Sequence, residues 1–328
     1  MDFDKLFAGF STIKVAVVGD VMLDTYWWGH VDRISPEAPV PVVALDKREL
    51  RIGGAGNVAL NLVALGAQVN IFSVLGEDEE GRALDQLLTD SGVDTSFIIF
   101  SSERITTNKV RIISRNQQMM RLDSETTRDL GEVAESALFD RISDYIKLEK
   151  PAVLVLEDYN KGILTQSLIS RIIALCKAEG VLTTVDPKKK NFFTYRGVDI
   201  FKPNLKEVKE GLNISLDTIS LDSLKNVHHL LQEKLDHKVS FITLSEKGVF
   251  FQDNGHAEII PSHIRNIADV SGAGDTVIAV ASLVYAATRD AALFSRIANI
   301  AGGLVCEEVG TAAINKEKLL AECKHLLG

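Results

Sequence analysis

Near its C-terminus the chain reads Asp269-Val-Ser-Gly-Ala-Gly-Asp275-Thr276, three small residues and a carboxylate heading an apolar run. Small residues ahead of a helix leave backbone N–H groups free, and the helix dipole favours an anion beside them. That nest suits a phosphoryl group in transfer. Asp275, in the first turn, would be kept ionised by the same dipole and could take a proton from a hydroxyl. Taken alone, Gly272–Asp275 reads better as a plain helix start with an acidic first turn. Other stretches of the chain shift that balance.

Gly53-Gly54-Ala55-Gly56-Asn57 also precedes a helical pattern. Its glycines would let the backbone approach a sugar, with the Asn57 amide bonding two hydroxyls. The spacing Gly54-x-Gly56-x-x-Ala59, with Glu77 further on, also fits a dinucleotide fingerprint. That alternative, an NAD-linked dehydrogenase, needs a buried strand just before the glycines. Asp46-Lys-Arg-Glu-Leu-Arg51 is too charged to be a central parallel strand. Gly76-Glu-Asp-Glu-Glu-Gly81 has the glycine spacing of a P-loop, but its run of carboxylates would repel phosphates and the Lys-Ser/Thr is missing.

Asn204 and Glu207 fit a helix N-cap with its capping-box partner, and the same pair could lie near Mg²⁺ and its waters. Thr243–Gly248 reads as a hairpin turn. Asp186-Pro187-Lys188 and the stretch Asp20–Asp24 follow apolar runs, at the strand ends where ligands of doubly wound sheets gather. Lys188 could there reach a phosphate, and Asp20 and Asp24 sugar hydroxyls.

To position these groups the chain alternates short apolar runs with helical patterns. Strands are expected over Lys14–Gly19, Val69–Leu75, Ala152–Leu156, Val181–Val185 and Val239–Leu244. Helices are expected over Asn57–Gly66, Glu79–Ser91, Leu164–Glu179, Ala273–Thr288, Asp290–Glu307 and Lys316–Leu326. Unbroken apolar strands between helices imply an α/β fold with a largely parallel, doubly covered sheet. Two segments, about 21–50 and 96–124, carry period-two runs and predict a small antiparallel lid inserted into one domain spanning 1–328. Valines 40, 42 and 43 beside Trp27 and Trp28 predict a homodimer through that lid.

A net charge of −9 argues against nucleic acid or an anionic membrane as the main partner. Three scattered cysteines, Cys176, Cys306 and Cys323, without metal-ligand spacing predict reduced thiols in the cytoplasm. No HExxH or other zinc pattern is present.

In order along the chain, Gly53-Gly54 with Asn57, Asn204 with Glu207, and Asp269–Thr276 resemble the motifs of the ribokinase-like (phosphofructokinase B) family of sugar kinases. The likeness covers essentially the whole chain. It implies a three-layer α/β/α body with a β lid, and ATP with Mg²⁺ as cosubstrate. It also implies Asp275 as catalytic base and Gly272, Ala273 and Gly274 as the anion hole. Nucleotide contacts would come from Asn204, Ser245, Lys247, Gly248 and Asn299, with Glu207 acting on Mg²⁺ indirectly and Asp269 and Ser271 near a monovalent cation such as K⁺.

Within the family, several stretches are similar to a branch that phosphorylates the anomeric hydroxyl of heptose 7-phosphate in lipopolysaccharide precursor synthesis. They are Gly19–Asp24, Arg33–Pro41, Arg115-Asn116-Gln117-Gln118, Asp158-Tyr159 with Lys161-Gly162, and Asp186–Lys188. This likeness implies substrate contacts from Asp20, Asp24, Gly53, Gly54, Asn57 and Asp158. Lys109, Arg111, Arg115 and Lys188, with Arg33, would hold a remote phosphate. The chain departs from the pattern at Asn160, at Gly56 and at Ser245, which replaces a glycine common in the wider family. The likeness further implies a stand-alone kinase or the kinase half of a bifunctional protein. A kinase for another sugar, or a sensor without turnover, are the rival readings.

Overall fold

Val15, Ala16, Val17 and Val18 are all fully buried, yet successive side chains enter two different cores. Val15 and Val17 join one core, Ala16 and Val18 the other, as period-two side chains must when both faces of a strand are covered. Val153 and Val155 alternate with Leu154 and Leu156 in the same way. The computed structural model describes residues 1–328 except Asn116, Asp217, Asn254 and Ile264. Asn116, part of the lid stretch singled out above, therefore lies outside the described residues.

The strands in chain order are β1 (Lys14–Gly19), β2 (Val21–Ile34), β3 (Pro41–Gly54), β4 (Gln68–Phe72), β5 (Val74–Gly76), β6 (Ile99–Ser101) and β7 (Asn108–Ser114). They continue as β8 (Gln117–Ser124), β9 (Val153–Glu157), β10 (Leu182–Asp186), β11 (Ile200–Phe201), β12 (Val239–Thr243), β13 (Val249–Gln252) and β14 (Ala257–Ile260). The central sheet runs β14-β13-β12-β11-β10-β9-β1-β4, parallel from β4 to β12 with β13 and β14 antiparallel at one edge. Helices Ala55–Ala64, Ala273–Thr288 and Ala291–Val305 cover one face, while Glu132–Glu149, Gln166–Glu179 and Leu221–Leu235 cover the other. This is a ribokinase-like α/β fold with a mostly parallel central sheet.

A second sheet, β3-β2-β7-β8, stands apart from the first; β2 and β7 are parallel and its other pairs antiparallel. Its strands reach further than the period-two runs suggest, because β3 carries the charged stretch 46–51 and ends on Gly53-Gly54. Of residues 96–107 only Thr107 reaches it, its carbonyl accepting from the Leu23 amide at 2.8 Å; Ile99–Ser101 pairs instead with Val74–Gly76 in a two-stranded ribbon. The expected strand Val69–Leu75 is consequently split, and at the break the Ser73 hydroxyl turns to donate to the Gly19 carbonyl at 2.7 Å. Helices Glu132–Glu149 and Leu221–Leu235, whose apolar residues are diluted by charges, have no counterpart in the expected elements.

Candidate active site

The C-terminal ends of β1, β9, β10 and β11 and the head of the helix Ala273–Thr288 meet at one place. Asp275 lies in that helix's first turn and is only 3% exposed. Its two oxygens accept from the Asn57 side-chain amide (2.8 Å) and the Tyr159 hydroxyl (2.6 Å). The Asn57 amide is oriented in turn, because Asn61 donates to its carbonyl oxygen and is itself held by Thr276 and the Ile314 amide. Burial raises the Asp275 carboxyl to about 6, against the opposing bonds from Tyr159 and Asn57. The helix start does not hold it at an ordinary carboxylate value, because desolvation outweighs the dipole at this depth.

Gly272 precedes the helix with φ +77°, and a Cβ there would sit 2.7 Å from the Asn57 amide nitrogen, so only glycine fits. Ala273 and Gly274 complete the turn. Asp269 braces it from outside, its carboxylate accepting from the Ser271 amide and hydroxyl and from the Gly310 amide. Beyond the loop lies a cavity of about 980 Å³. Asn204, Ser245, Lys247, Gly248 and Asn299 all line it, together with Ala273 and Gly274. Ser245 has φ +58°, the left-handed region, which is why glycine would be the easier residue there. A Cβ on Gly248 would strike the Ile260 carbonyl at 2.0 Å.

Other expected contacts divide. Asp24 pairs with Arg111 at 2.5 Å, beside Gly53 and opposite Lys109 in the β2–β7 register. Lys109 is partly buried and, among the described residues, pairs with no carboxylate; burial and the nearby Lys161 lower its pKa. Arg33 and Arg115 lie exposed at the far end of the lid. Lys188 is not with these cations: it sits between Asp186 (3.3 Å) and Glu207 (2.8 Å), under the Tyr159 ring on the nucleotide side. Both oxygens of Glu207 are engaged, by Lys188 and by the Asn204 amide of the capping box. Asn299 donates to the Pro261 carbonyl.

Asp20 and Asp158 are both buried and bonded within the protein. Asp20 accepts from the amides of Tyr159, Lys161 and Ile163, so it shapes that loop. Asp158 accepts from the Asn160 amide, the Asn191 side chain and the Tyr195 hydroxyl. The residue before it, Glu157, is the one that points toward Asp275, and one oxygen each of Glu157, Asp186 and Asp275 lie within 4.8 Å of one another. Strand alternation separates the two acids, and an apolar strand ending in Glu-Asp does not reveal which face is which. Asp186 is held by Lys202 at 2.8 Å. Burial alone would raise its carboxyl, but Lys188 and Lys202 keep it below the usual range. Glu157 and Lys202 carry no motif of their own, while Tyr159 falls within the Asp158-Tyr159 stretch without a role assigned to it; the signal available for all three is position at a parallel strand's C-terminal end.

The pfkB family carbohydrate kinase profile matches residues 12–318. The chain belongs to the pfkB family of carbohydrate kinases. Family membership makes it a sugar kinase that uses ATP with a divalent metal. Two relatives named Bifunctional protein HldE match this pfkB domain over nearly its whole length. That of Geobacter sulfurreducens is 38% identical over 97% of the chain and 64% of its own length. That of Syntrophotalea carbinolica is 36% identical over 99% of the chain and 66% of its own length. The chain thus spans about two thirds of these relatives. Among solved structures, Escherichia coli phosphofructokinase-2 in complex with potassium superposes with TM-score 0.79 at 18% identity, covering 95% of this chain and all of that one. Arabidopsis thaliana ribokinase complexed with ribose and ATP gives 0.72 at 17%, covering 94% and 98%. No helix among the described residues is long and apolar enough to cross a membrane.

Proposed function

We infer that the chain transfers the γ-phosphoryl group of ATP to the anomeric hydroxyl of heptose 7-phosphate, giving the 1,7-bisphosphate and ADP. The observation that carries this reading is Asp275 itself: a buried, doubly hydrogen-bonded carboxylate between the nucleotide-sized cavity and the inner end of the lid. Asp275 takes the hydroxyl proton, and the backbone amides of Gly272 and Gly274 stabilise the charge that develops on the phosphoryl oxygens, the Ala273 amide being shared with the Val270 carbonyl. A divalent ion, Mg²⁺ in this reading, supplies neutralisation of the β- and γ-phosphates. The orphaned Glu157 carboxylate and its neighbour Asp186 are oxygen donors of the kind such an ion takes. K⁺ would sit by Asp269 and Ser271, where three hydrogen bonds keep Asp269 ionised.

The substrate's remote phosphate is assigned to Lys109 and Arg111, the basic residues at the inner half of the lid; Arg33 and Arg115 are too far out on the same sheet. The likeness to the heptose-kinase branch and the relatives named Bifunctional protein HldE favour heptose 7-phosphate over other sugars. Exposed Val40, Leu45, Leu50, Met119, Met120 and Leu122 on the lid favour a homodimer through that sheet. We place the protein in the cytoplasm, where its ATP is found, as one kinase domain with its lid.

The test is ADP release against heptose 7-phosphate, unphosphorylated heptose and a set of hexose phosphates. Preference for heptose 7-phosphate supports the reading. Equal rates with the unphosphorylated sugar overturn the substrate; ADP release that no sugar accelerates would overturn the reaction.

A further inference from the structure

The cluster around Asp275 contains one side chain that the transfer chemistry leaves unused. Glu157 is 0% exposed, and neither of its carboxylate oxygens meets a hydrogen-bond donor among the described residues. A buried carboxylate without donors is strongly disfavoured unless a proton or a cation joins it. The local charge draws in either one, and three converging oxygens suit the cation. Glu157, Asp186, Asp275 and Glu207 face only two ammonium groups, Lys188 and Lys202, which leaves an excess of two negative charges.

The two lysines do not reach Glu157; they are spent on Asp186 and Glu207. Asp186 keeps capacity for a further partner, because each carboxylate oxygen can accept twice. The three converging oxygens are separated by no more than 4.8 Å. Opposed oxygens of an octahedral Mg²⁺ shell lie about 4.2 Å apart, and those of the looser Ca²⁺ shell nearer 5 Å. Glu207 is not one of the three converging carboxylates; Lys188 and the Asn204 amide of the capping box hold it.

We propose that Glu157 and Asp186, with Asp275 at the third corner, form a direct binding site for one divalent cation of the oxygen-seeking class, filled before nucleotide enters. The ion sits against the Gly272–Gly274 loop, on the protein side of the cavity, and so awaits the phosphates instead of arriving with them. This assignment concerns the ion alone and stands whichever sugar is the substrate; binding measured without sugar or nucleotide keeps the two questions apart.

The experiment titrates Mn²⁺ into the metal-stripped, nucleotide-free protein, reading free Mn²⁺ by electron paramagnetic resonance, with Mg²⁺ added afterwards as competitor. One Mn²⁺ per chain, displaced by Mg²⁺, is expected. Glu157→Gln should weaken it by more than about tenfold, whereas Glu207→Gln should leave it within about twofold. Melting curves give a second readout. In chelator, Glu157→Gln should melt at or above wild type, because an unpaired buried charge is gone; with Mn²⁺, only wild type should shift upward. Absence of bound Mn²⁺ without nucleotide, or binding that Glu157→Gln leaves unchanged, overturns the site and makes Glu157 a buried protonated acid.

Discussion

The two ends of the central sheet both bury titratable groups, but they treat them in opposite ways. At the N-terminal ends of β10 and β12, Asp199 accepts from the Thr183 amide and from Lys238 at 2.6 Å. Nearby, His228 and His237 share the Ser240 hydroxyl. Burial pushes these histidines down to about 4 and about 3, so both are neutral at physiological pH. A cavity of about 420 Å³ opens there too, yet the acid beside it is matched to a base. At the C-terminal ends, carboxylates outnumber their partners and Glu157 has none. Burial raises Glu157, with Asp186 and Asp275 adding to the effect. The N-terminal end also leaves a buried polar atom, His237 Nδ1, without a partner among the described residues, but its charges are matched. An unmatched cluster of buried carboxylates marks where a ligand completes the structure.

The largest effect should come from the C-terminal end. Asp275→Asn should lower kcat for ADP release by ~10²–10⁴-fold while the melting temperature holds or rises. A loss within tenfold would remove Asp275 from the role of base. Next, Lys109→Ala should raise KM for the phosphorylated sugar by roughly ten- to a hundredfold with KM for ATP unchanged, as expected for a charge-assisted phosphate contact. Equal shifts in both constants would count against it. Tyr159→Phe removes one of the two bonds that orient the base and should cost about tenfold in kcat with little change in either KM. An unchanged kcat would make that bond structural only.

How far the sequence carries this contrast depends on the residue. Asp275 and its loop are legible only in company: alone they read as a plain helix start, and the Gly53–Asn57 and Asn204–Glu207 motifs shift that reading. The expected helix Ala273–Thr288 has the observed bounds. Asn204, Ser245, Lys247, Gly248 and Asn299, scattered over nearly a hundred positions, line one cavity, a grouping that only the family resemblance suggests. The sugar side is less legible. Asp20 and Asp158 look like ligands by type and place, yet Asp20 is bonded to the amides of the 158–163 loop, and Asp158 to the Asn160 amide, Asn191 and Tyr195. Glu157 hides because strand alternation, not residue type, decides which of two adjacent acids faces the helix. Arg111 and Lys188 are cations in the expected segments, but Arg111 is taken by Asp24 on another strand, and Lys188 by Glu207 on a later helix as well as by its neighbour Asp186.

At the other end of the sheet the expected effect is on stability alone. His237 has a folded pKa depressed by burial, so the folded state binds fewer protons than the unfolded one. Its contribution is complete above pH ~6.5 and is lost as pH falls toward 3. Urea midpoints at pH 7.5 and 5.0 should therefore converge in His237→Gln relative to wild type, by up to ~2 kcal/mol, with kcat unchanged. A fall in kcat would mean that the two ends are coupled and the contrast between them is false.

Phosphorus NMR of the completed reaction tests the central claim most directly. With ATP and heptose 7-phosphate, the account predicts a new phosphate resonance coupled to the anomeric proton, an unchanged 7-phosphate signal and one equivalent of ADP. A new phosphate on any other carbon, or ADP accompanied only by inorganic phosphate, would contradict it.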